Sequence, residues 1–189
     1  MRAAKSFLVV TGGSAIFFGL AVFVTPNFEA YAGTKAIGPF EASLIDGDTL
    51  SDGTVRYRLV GVDACEMGQP IDFSEEPETL DCGYYAMKFM EQFIADAPVI
   101  CYDQGSRSYG RVVARCFRHS GTSRRSINDD IGAFALRSGW AVSTDHAEGM
   151  FAFRYFYEEL IAKTSLRGAW NGTSMSPSEW RRVNVAGAS

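Results

Sequence analysis

At 189 residues the chain has room for one ordinary domain and some additional segments. Its 47% hydrophobic and 21% charged residues are those of a globular protein and exclude a collagen-like or wholly disordered chain. The formal net charge of −4 excludes a chain-wide basic footprint, so any recognition of nucleic-acid phosphate must rest on local arginines.

The N-terminus reads as an export signal. Arg2 and Lys5 precede an almost wholly apolar run from Phe7 to Val24, and Ala30-Tyr31-Ala32 offers a small-x-small cleavage pattern. Residues 1–32 are therefore expected to be a signal peptide. The run approaches the roughly 20 residues that cross a bilayer, so an uncleaved anchor through residues 7–24 is the alternative. The first reading makes the protein periplasmic or secreted; the second holds it at the inner membrane.

Phe40 to Ile45 and Val55 to Val62 are apolar and β-branched and predict strands, with a turn at Ser51-Asp52-Gly53. Residues 67–78, with Gly68, Pro70, Pro77 and several acids, predict a loop. Leu80 to Ala95 predicts a helix with Ala86, Met87, Met90, Phe93 and Ile94 on one face. Pro98 to Tyr102 and Arg111 to Phe117 predict two strands of a hairpin with Ser108-Tyr109 near its tip. Ser126-Ile127-Asn128-Asp129 resembles a helix start, followed by an apolar face at Ile131, Phe134 and Ala135 and a stop at Gly139. A longer helix is expected from about Ala147 to Ser165, with Met150, Phe153, Tyr157, Leu160 and Ile161 as its core-facing stripe. Residues 171–189 read as a polar C-terminal tail with Pro177 and Trp180 as anchors. This order suits an α+β domain, a small antiparallel barrel with helices against it.

Four cysteines in an exported chain point to disulfides. No C-x-x-C occurs and His119 and His146 are the only histidines, so the pattern is not that of a zinc site. Three pairings are open on paper. In the hairpin, Cys101 comes opposite Cys116, at the separation a disulfide needs, which leaves Cys65 with Cys82.

The chemistry-bearing residues concentrate in Asp46-Gly47-Asp48-Thr49, Arg58 to Glu66 and Tyr109-Gly110-Arg111. Two arginines with several carboxylates around one β-rich segment are parts for holding a hard cation and a phosphate together and activating water between them. Arg107, Arg115, Arg118, Arg124 and Arg125 surround Arg111 in sequence, a cluster that reads as a solvated face or as a phosphate-binding one.

Asp46-Gly47-Asp48-Thr49, Arg58-Leu59-Val60-Gly61-Val62-Asp63-Ala64-Cys65-Glu66, Tyr109-Gly110-Arg111-Val112-Val113-Ala114, Gly139-Trp140-Ala141 and Arg167-Gly168-Ala169-Trp170 together resemble the staphylococcal nuclease (thermonuclease) family over about residues 36–170. The resemblance implies a five-stranded OB-fold barrel with three packed helices, here over residues 33–170. It implies Ca²⁺-dependent hydrolysis of DNA and/or RNA phosphodiesters with low sequence specificity and no obligate protein partner. Asp48, Asp63 and the carbonyl of Ala64 would then hold calcium, with Asp46 and Thr49 next to its waters. Glu66 would be the general base, Arg58 and Arg111 would grip the phosphate, and Tyr109 would lie near the bound nucleotide. The family pattern carries proline before the glutamate; Cys65 stands there instead, and a Cys65–Cys82 bond would pin that loop in proline's place. After Gly139-Trp140-Ala141 the base-stacking tyrosines of the best-known member are replaced by Val142, Ser143, Thr144 and Asp145. The alternative is a non-catalytic OB-fold module that binds single-stranded nucleic acid or an exported protein partner.

Overall fold

The computed structural model describes residues 35–119, 121 and 127–186. The expected signal or anchor segment, and Arg124 and Arg125, lie outside these residues. The strands are β1 (Ala36–Phe40), β2 (Ser43–Asp46), β3 (Thr49–Ser51), β4 (Arg56–Leu59), β5 (Val62–Ala64), β6 (Pro70–Ile71), β7 (Leu80–Asp81), β8 (Val99–Ser108), β9 (Arg111–Arg118) and β10 (Ala141–Ser143). The helices are α1 (Cys82–Ile94), α2 (Ile131–Ser138), α3 (Gly149–Thr164) and α4 (Pro177–Ala186). The domain is α+β. Its main sheet has six strands in the order β1-β8-β9-β4-β3-β2, all antiparallel except β4 with β9. β1 and β2 are its edges and do not pair with each other; β5 pairs with β10, and β6 with β7, in separate two-stranded pieces.

The predicted strands are present but subdivided. The run expected from Phe40 to Ile45 is split between β1 and β2. The run expected from Val55 to Val62 bends at Gly61, which has φ 73°, a conformation that favours glycine. A Cβ at Gly61 would also stand 2.6 Å from that of Ala147. The hairpin turns one residue later than expected, at Tyr109-Gly110, with φ of 49° and 79°. Positive φ at both central residues is what a two-residue type I′ hairpin requires. A bulge between Asp103 and Arg107 then shifts the register, and Cys101 still comes opposite Cys116. Both expected disulfides form, Cys101–Cys116 and Cys65–Cys82.

The main core joins Leu50, Tyr57, Leu59 and Val62 to Val99, Phe117, Leu136 and Tyr155. Burying side chains of this kind contributes roughly 1.5–3 kcal/mol each. α1 lays Ala86, Met90 and Ile94 inward, as its periodicity predicts. α3 does not follow its prediction. Its buried residues are Phe151, Tyr155, Glu158, Glu159 and Ala162. The apolar stripe expected in the core faces outward, with Phe153 71% exposed and Met150, Tyr157 and Leu160 also exposed. The cause is charge pairing. Glu158 is held by Arg154, and Glu159 by Lys163 and by the Ser143 backbone N–H at 3.0 Å, so two carboxylates occupy the inner face. Among the described residues no helix is long and apolar enough to cross a membrane.

α2 starts at a fully buried carboxylate. Asp130 accepts from the Ala133 N–H at 3.1 Å and from the Tyr155 hydroxyl at 3.1 Å, and Gly139 closes the helix in the left-handed conformation. Burial pushes the Asp130 carboxyl up to about 6 from 3.8, against the opposing pull of the Ala133 N–H and the Arg115 charge. The folded state therefore binds this proton more readily than the unfolded state does. The resulting stabilisation is complete below the unfolded value and is lost as pH rises through about 6. Urea unfolding of wild type and Asp130→Asn between about pH 4 and about pH 7 should show the wild type losing on the order of 3 kcal/mol relative to the variant. A constant difference across that window would show that Asp130 is ionised throughout.

Candidate functional site

The site is built where β2, β3, β4 and β5 meet. Asp46 ends β2, and its Oδ1 accepts from the Asp48 N–H at 3.0 Å, which closes the turn around Gly47. Only glycine fits there: a Cβ would stand 2.7 Å from that of Ala64 and 2.9 Å from that of Ala86. The turn therefore lies directly on β5 and α1 and buries Asp48, which is 3% exposed. Asp48 Oδ2 accepts from the Ala64 N–H at 3.0 Å and pairs with Arg58 Nη1, while Oδ1 accepts from the Thr49 hydroxyl at 3.1 Å. Arg58 Nη2 donates to Asp63 Oδ1 at 2.8 Å, so one guanidinium joins two buried carboxylates. Beside them, burial pushes the Asp46 carboxyl above 3.8 despite hydrogen bonding from Thr49 and the charges of Arg58 and Arg111.

Arg111 reaches the same place from β9. In the parallel pair, Arg58 lies opposite Val113, two residues after Arg111. Strand side chains alternate between faces, so Arg58 and Arg111 belong to one face of the sheet. Arg111 Nη1 donates to Thr49 Oγ1 at 3.1 Å and its Nε donates to the Ser108 carbonyl at 3.2 Å. Tyr109, at the hairpin tip, is 98% exposed, and the Arg111 guanidinium stands 6.0 Å from its ring centre.

The loop that carries Glu66 is fastened on three sides. The Cys65–Cys82 bond ties it to the first residue of α1. The buried Gln69 side chain accepts from the Glu66 N–H at 3.0 Å and donates to the Met175 carbonyl at 2.8 Å. Gly83 lies so close that a Cβ there would stand 2.3 Å from the Glu66 carbonyl oxygen. Trp140 lies under the same corner, stacked on Tyr85 with centroids 5.6 Å apart, and the Cys65 N–H donates to its carbonyl at 3.0 Å. Gly139 and Gly168 carry the two later sequence motifs and lie against each other: a Cβ on Gly168 would come within 2.8 Å of the Gly139 carbonyl carbon.

Arg181 completes the site from α4, a helix that sequence reasoning left as a polar tail. Its Nη1 and Nη2 donate to Asp63 Oδ1 and Oδ2 at 2.9 and 2.8 Å, and Nη1 also pairs with Glu66 Oε1. Burial works to raise the Asp63 carboxyl, but hydrogen bonds from Arg181 and Arg58 outweigh it and hold the group below 3.8. A signal for α4 was present in the sequence. Ser176-Pro177-Ser178-Glu179 is a capping box with proline at the first helical position. In the structure the Ser176 N–H donates to Glu179 Oε2 at 3.0 Å and the Glu179 N–H donates to Ser176 Oγ at 3.3 Å. Gln69 gave no comparable signal.

These residues surround a cavity of ≈ 520 Å³ lined by Asp46, Asp48, Arg58, Glu66, Tyr109 and Arg111, with Ala64 and Arg181. Asp63 and Thr49 join it through their bonds to Arg58, Arg181 and Arg111. A neighbouring cavity of ≈ 870 Å³ shares Arg58 and Arg181 and continues past Arg107 and His146. The predicted residues Asp46, Asp48, Arg58, Ala64, Glu66, Tyr109 and Arg111 thus line one cavity, with Thr49 bonded to Arg111 beside it; Asp63 lies on the neighbouring cavity, and Cys101–Cys116 stands apart in the hairpin. Among the described residues, no three or more His, Cys, Asp and Glu side chains are grouped to hold a metal ion. The donors here are two carboxylates and a backbone carbonyl. All three are hard oxygens of the kind calcium takes, and the two carboxylates already face the Arg58 cation, so the set fits calcium in chemical type.

No protein-family model matches the chain. Over 144 residues the chain is 32% identical to the succinoglycan biosynthesis protein ExoI of Rhizobium meliloti (strain 1021), a stretch that covers 75% of this chain and 68% of that protein.

Two substitutions separate fastening from chemistry. Replacing Cys65 and Cys82 together by alanine opens a crosslink between residues 17 apart in sequence and should cost about 3 kcal/mol in urea unfolding. Gly83→Ala should shift the Glu66 loop while both disulfides stay formed, which would appear as amide chemical-shift changes at Glu66 and Met67 without loss of the Cys101–Cys116 link.

Proposed function

The chain belongs to the family of that succinoglycan biosynthesis protein, and on this premise we propose that it is an exported, calcium-dependent phosphodiesterase acting on DNA and/or RNA with low sequence specificity. One observation carries this reading: Asp48, Glu66, Arg58 and Arg111 line one cavity, and Asp63, on the neighbouring cavity, is bonded to Arg58 and Arg181, which line both. A site for binding nucleic acid alone gains nothing from three carboxylates, which cancel the positive charge of the arginines paired with them. The likeness of the motifs to staphylococcal nucleases supports the same reading. On it, the sheet and the β5–β10 piece form an OB-type barrel with α1, α2 and α3 as its three helices. The two disulfides support an extracytoplasmic setting, since such bonds persist where thiols are not kept reduced.

In this reading the Asp48 and Asp63 carboxylates and the Ala64 carbonyl would hold calcium, which would supply positive charge against the substrate phosphate. Arg58, once calcium takes over the Asp48 and Asp63 carboxylates that its two Nη atoms now face, and Arg111 would each turn a planar fork to phosphate oxygens from one face of the sheet. Charge accumulates on those oxygens as the attacking water's oxygen bonds to phosphorus and the opposite P–O ester bond breaks, its oxygen leaving with a proton from solvent, and two guanidinium groups held in place stabilise that charge. Glu66 takes the proton from that water. Thr49 steadies Arg111, and Asp46 steadies the turn that carries Asp48. Tyr109, fully exposed beside Arg111, meets the bound strand.

A second reading follows from kinship: a role in succinoglycan biosynthesis, as the relative's name states for that protein. A third is an OB-type module that binds single-stranded nucleic acid, or an exported protein partner, without cleaving it.

Digestion of single-stranded and plasmid DNA and of RNA by the full chain, in calcium and in chelator, tests the leading reading. Cutting is expected in calcium alone. Glu66→Gln and Arg111→Ala should each lower turnover on the order of 10²-fold or more with unfolding curves little changed. Folded protein that leaves all substrates intact in calcium, or that cuts equally in chelator, overturns it.

A further inference from the structure

We propose that Arg181 competes with calcium for Asp63 and so sets how much calcium the site requires; the proposal rests on the calcium-dependent reading above. Both oxygens of Asp63 are engaged: Arg58 and Arg181 share Oδ1, and Arg181 alone takes Oδ2. The two guanidinium groups differ in position. The Arg58 side chain is 19% exposed and lies inside the cavity, whereas that of Arg181 is 42% exposed and stands at its solvent side. An ion bound to Asp63 sits within about 2.6 Å of a carboxylate oxygen, too close for a guanidinium fork to keep the same oxygens. Of the two cations, Arg181 is the one with an open path away.

Arg181 also holds Glu66 Oε1. The Arg181 guanidinium stands on the oxygen that an attacking water would have to reach, so one side chain occupies both the cation's ligand and the base. Its withdrawal frees the two together. The anchor for this movement is built outside the site. The Asp72 and Thr173 backbones exchange hydrogen bonds at 3.1 and 2.8 Å, Gln69 holds Met175, and the Ser176–Glu179 box fixes the first turn of α4. The helix therefore stays attached at its start while the turn that bears Arg181 swings. The neighbouring cavity, which Arg181 also lines, receives the released guanidinium.

Calcium titration calorimetry on the full chain, comparing wild type, Arg181→Gln and Arg182→Gln, tests this. Arg182 sits on the same exposed turn and controls for the loss of one positive charge. Arg181→Gln should bind calcium at least tenfold more tightly than wild type, and Arg182→Gln within about threefold of it. Hydrogen exchange on the wild type, which needs no variant to fold, should show α4 amides exchanging faster when calcium is added. An Arg181→Gln affinity equal to that of wild type or of Arg182→Gln, or unchanged exchange in α4, overturns the proposal and leaves calcium-dependent digestion standing. Absence of calcium binding in all three proteins overturns the proposal and the calcium reading together.

Discussion

Two carboxylates are buried almost completely where β3, β4 and β5 converge, and the Arg58 guanidinium between them is what makes that burial tolerable. An isolated ionised carboxylate in such a place would cost several kcal/mol, and removing one partner of a buried pair is far more damaging than exchanging both for apolar groups. The rest of the local chain is arranged around this constraint. Gly47 allows the turn to lie flat on β5, the Ala64 N–H satisfies a remaining Asp48 lone pair, and the Thr49 hydroxyl links Asp48 to Arg111. A fold seeking stability alone would do as well with apolar residues of similar size. The retention of charge here is what ties the sheet's geometry to chemistry.

The same logic explains why the hairpin is long and stapled. β9 is the strand that pairs with both β8 and β4, antiparallel to one and parallel to the other. Its register fixes where Arg111 stands relative to Arg58. The Cys101–Cys116 bond locks that register below the bulge, and the Tyr109-Gly110 turn locks it above. The Cys65–Cys82 bond plays the matching part for the Glu66 loop, at the position where the nuclease pattern carries proline.

Much of the candidate site was legible because its parts are close in sequence. Asp46 to Glu66 form consecutive turns and strands, so spacing alone placed Asp48, Arg58, Asp63 and Glu66 near one another. Arg111 was legible through the likeness of its Tyr109-Gly110-Arg111 motif, Cys101–Cys116 through the hairpin geometry, and Cys65–Cys82 as the pair that remained. Arg181 was not, because it lies 118 residues from Asp63 and its segment is polar in composition. The Ser176–Glu179 capping box was the signal that a helix begins there. α3 misled for a different reason. Hydrophobic periodicity assumes that charge faces water, and Glu158 and Glu159 reverse that by pairing inward with Arg154, Lys163 and Ser143. The five-stranded barrel was expected from motif likeness, whereas the strand pairing gives a six-stranded sheet with two edges and a fourth helix.

Ala64 occupies an unusual position among these residues. Its N–H already holds Asp48 at 3.0 Å, and the proposed role of its carbonyl uses the same residue's backbone. Its methyl bonds to neither group and only packs against the Gly47 turn, so a survey of polar side-chain replacements would pass the position over. Access to it runs through alignment instead. Ala64 lies opposite Ala141 in the β5–β10 pair, and β10 begins two residues after Gly139 ends α2. Adding or deleting a single residue between that helix and that strand would shift which β10 residue stands opposite Ala64 while every named side chain stayed intact.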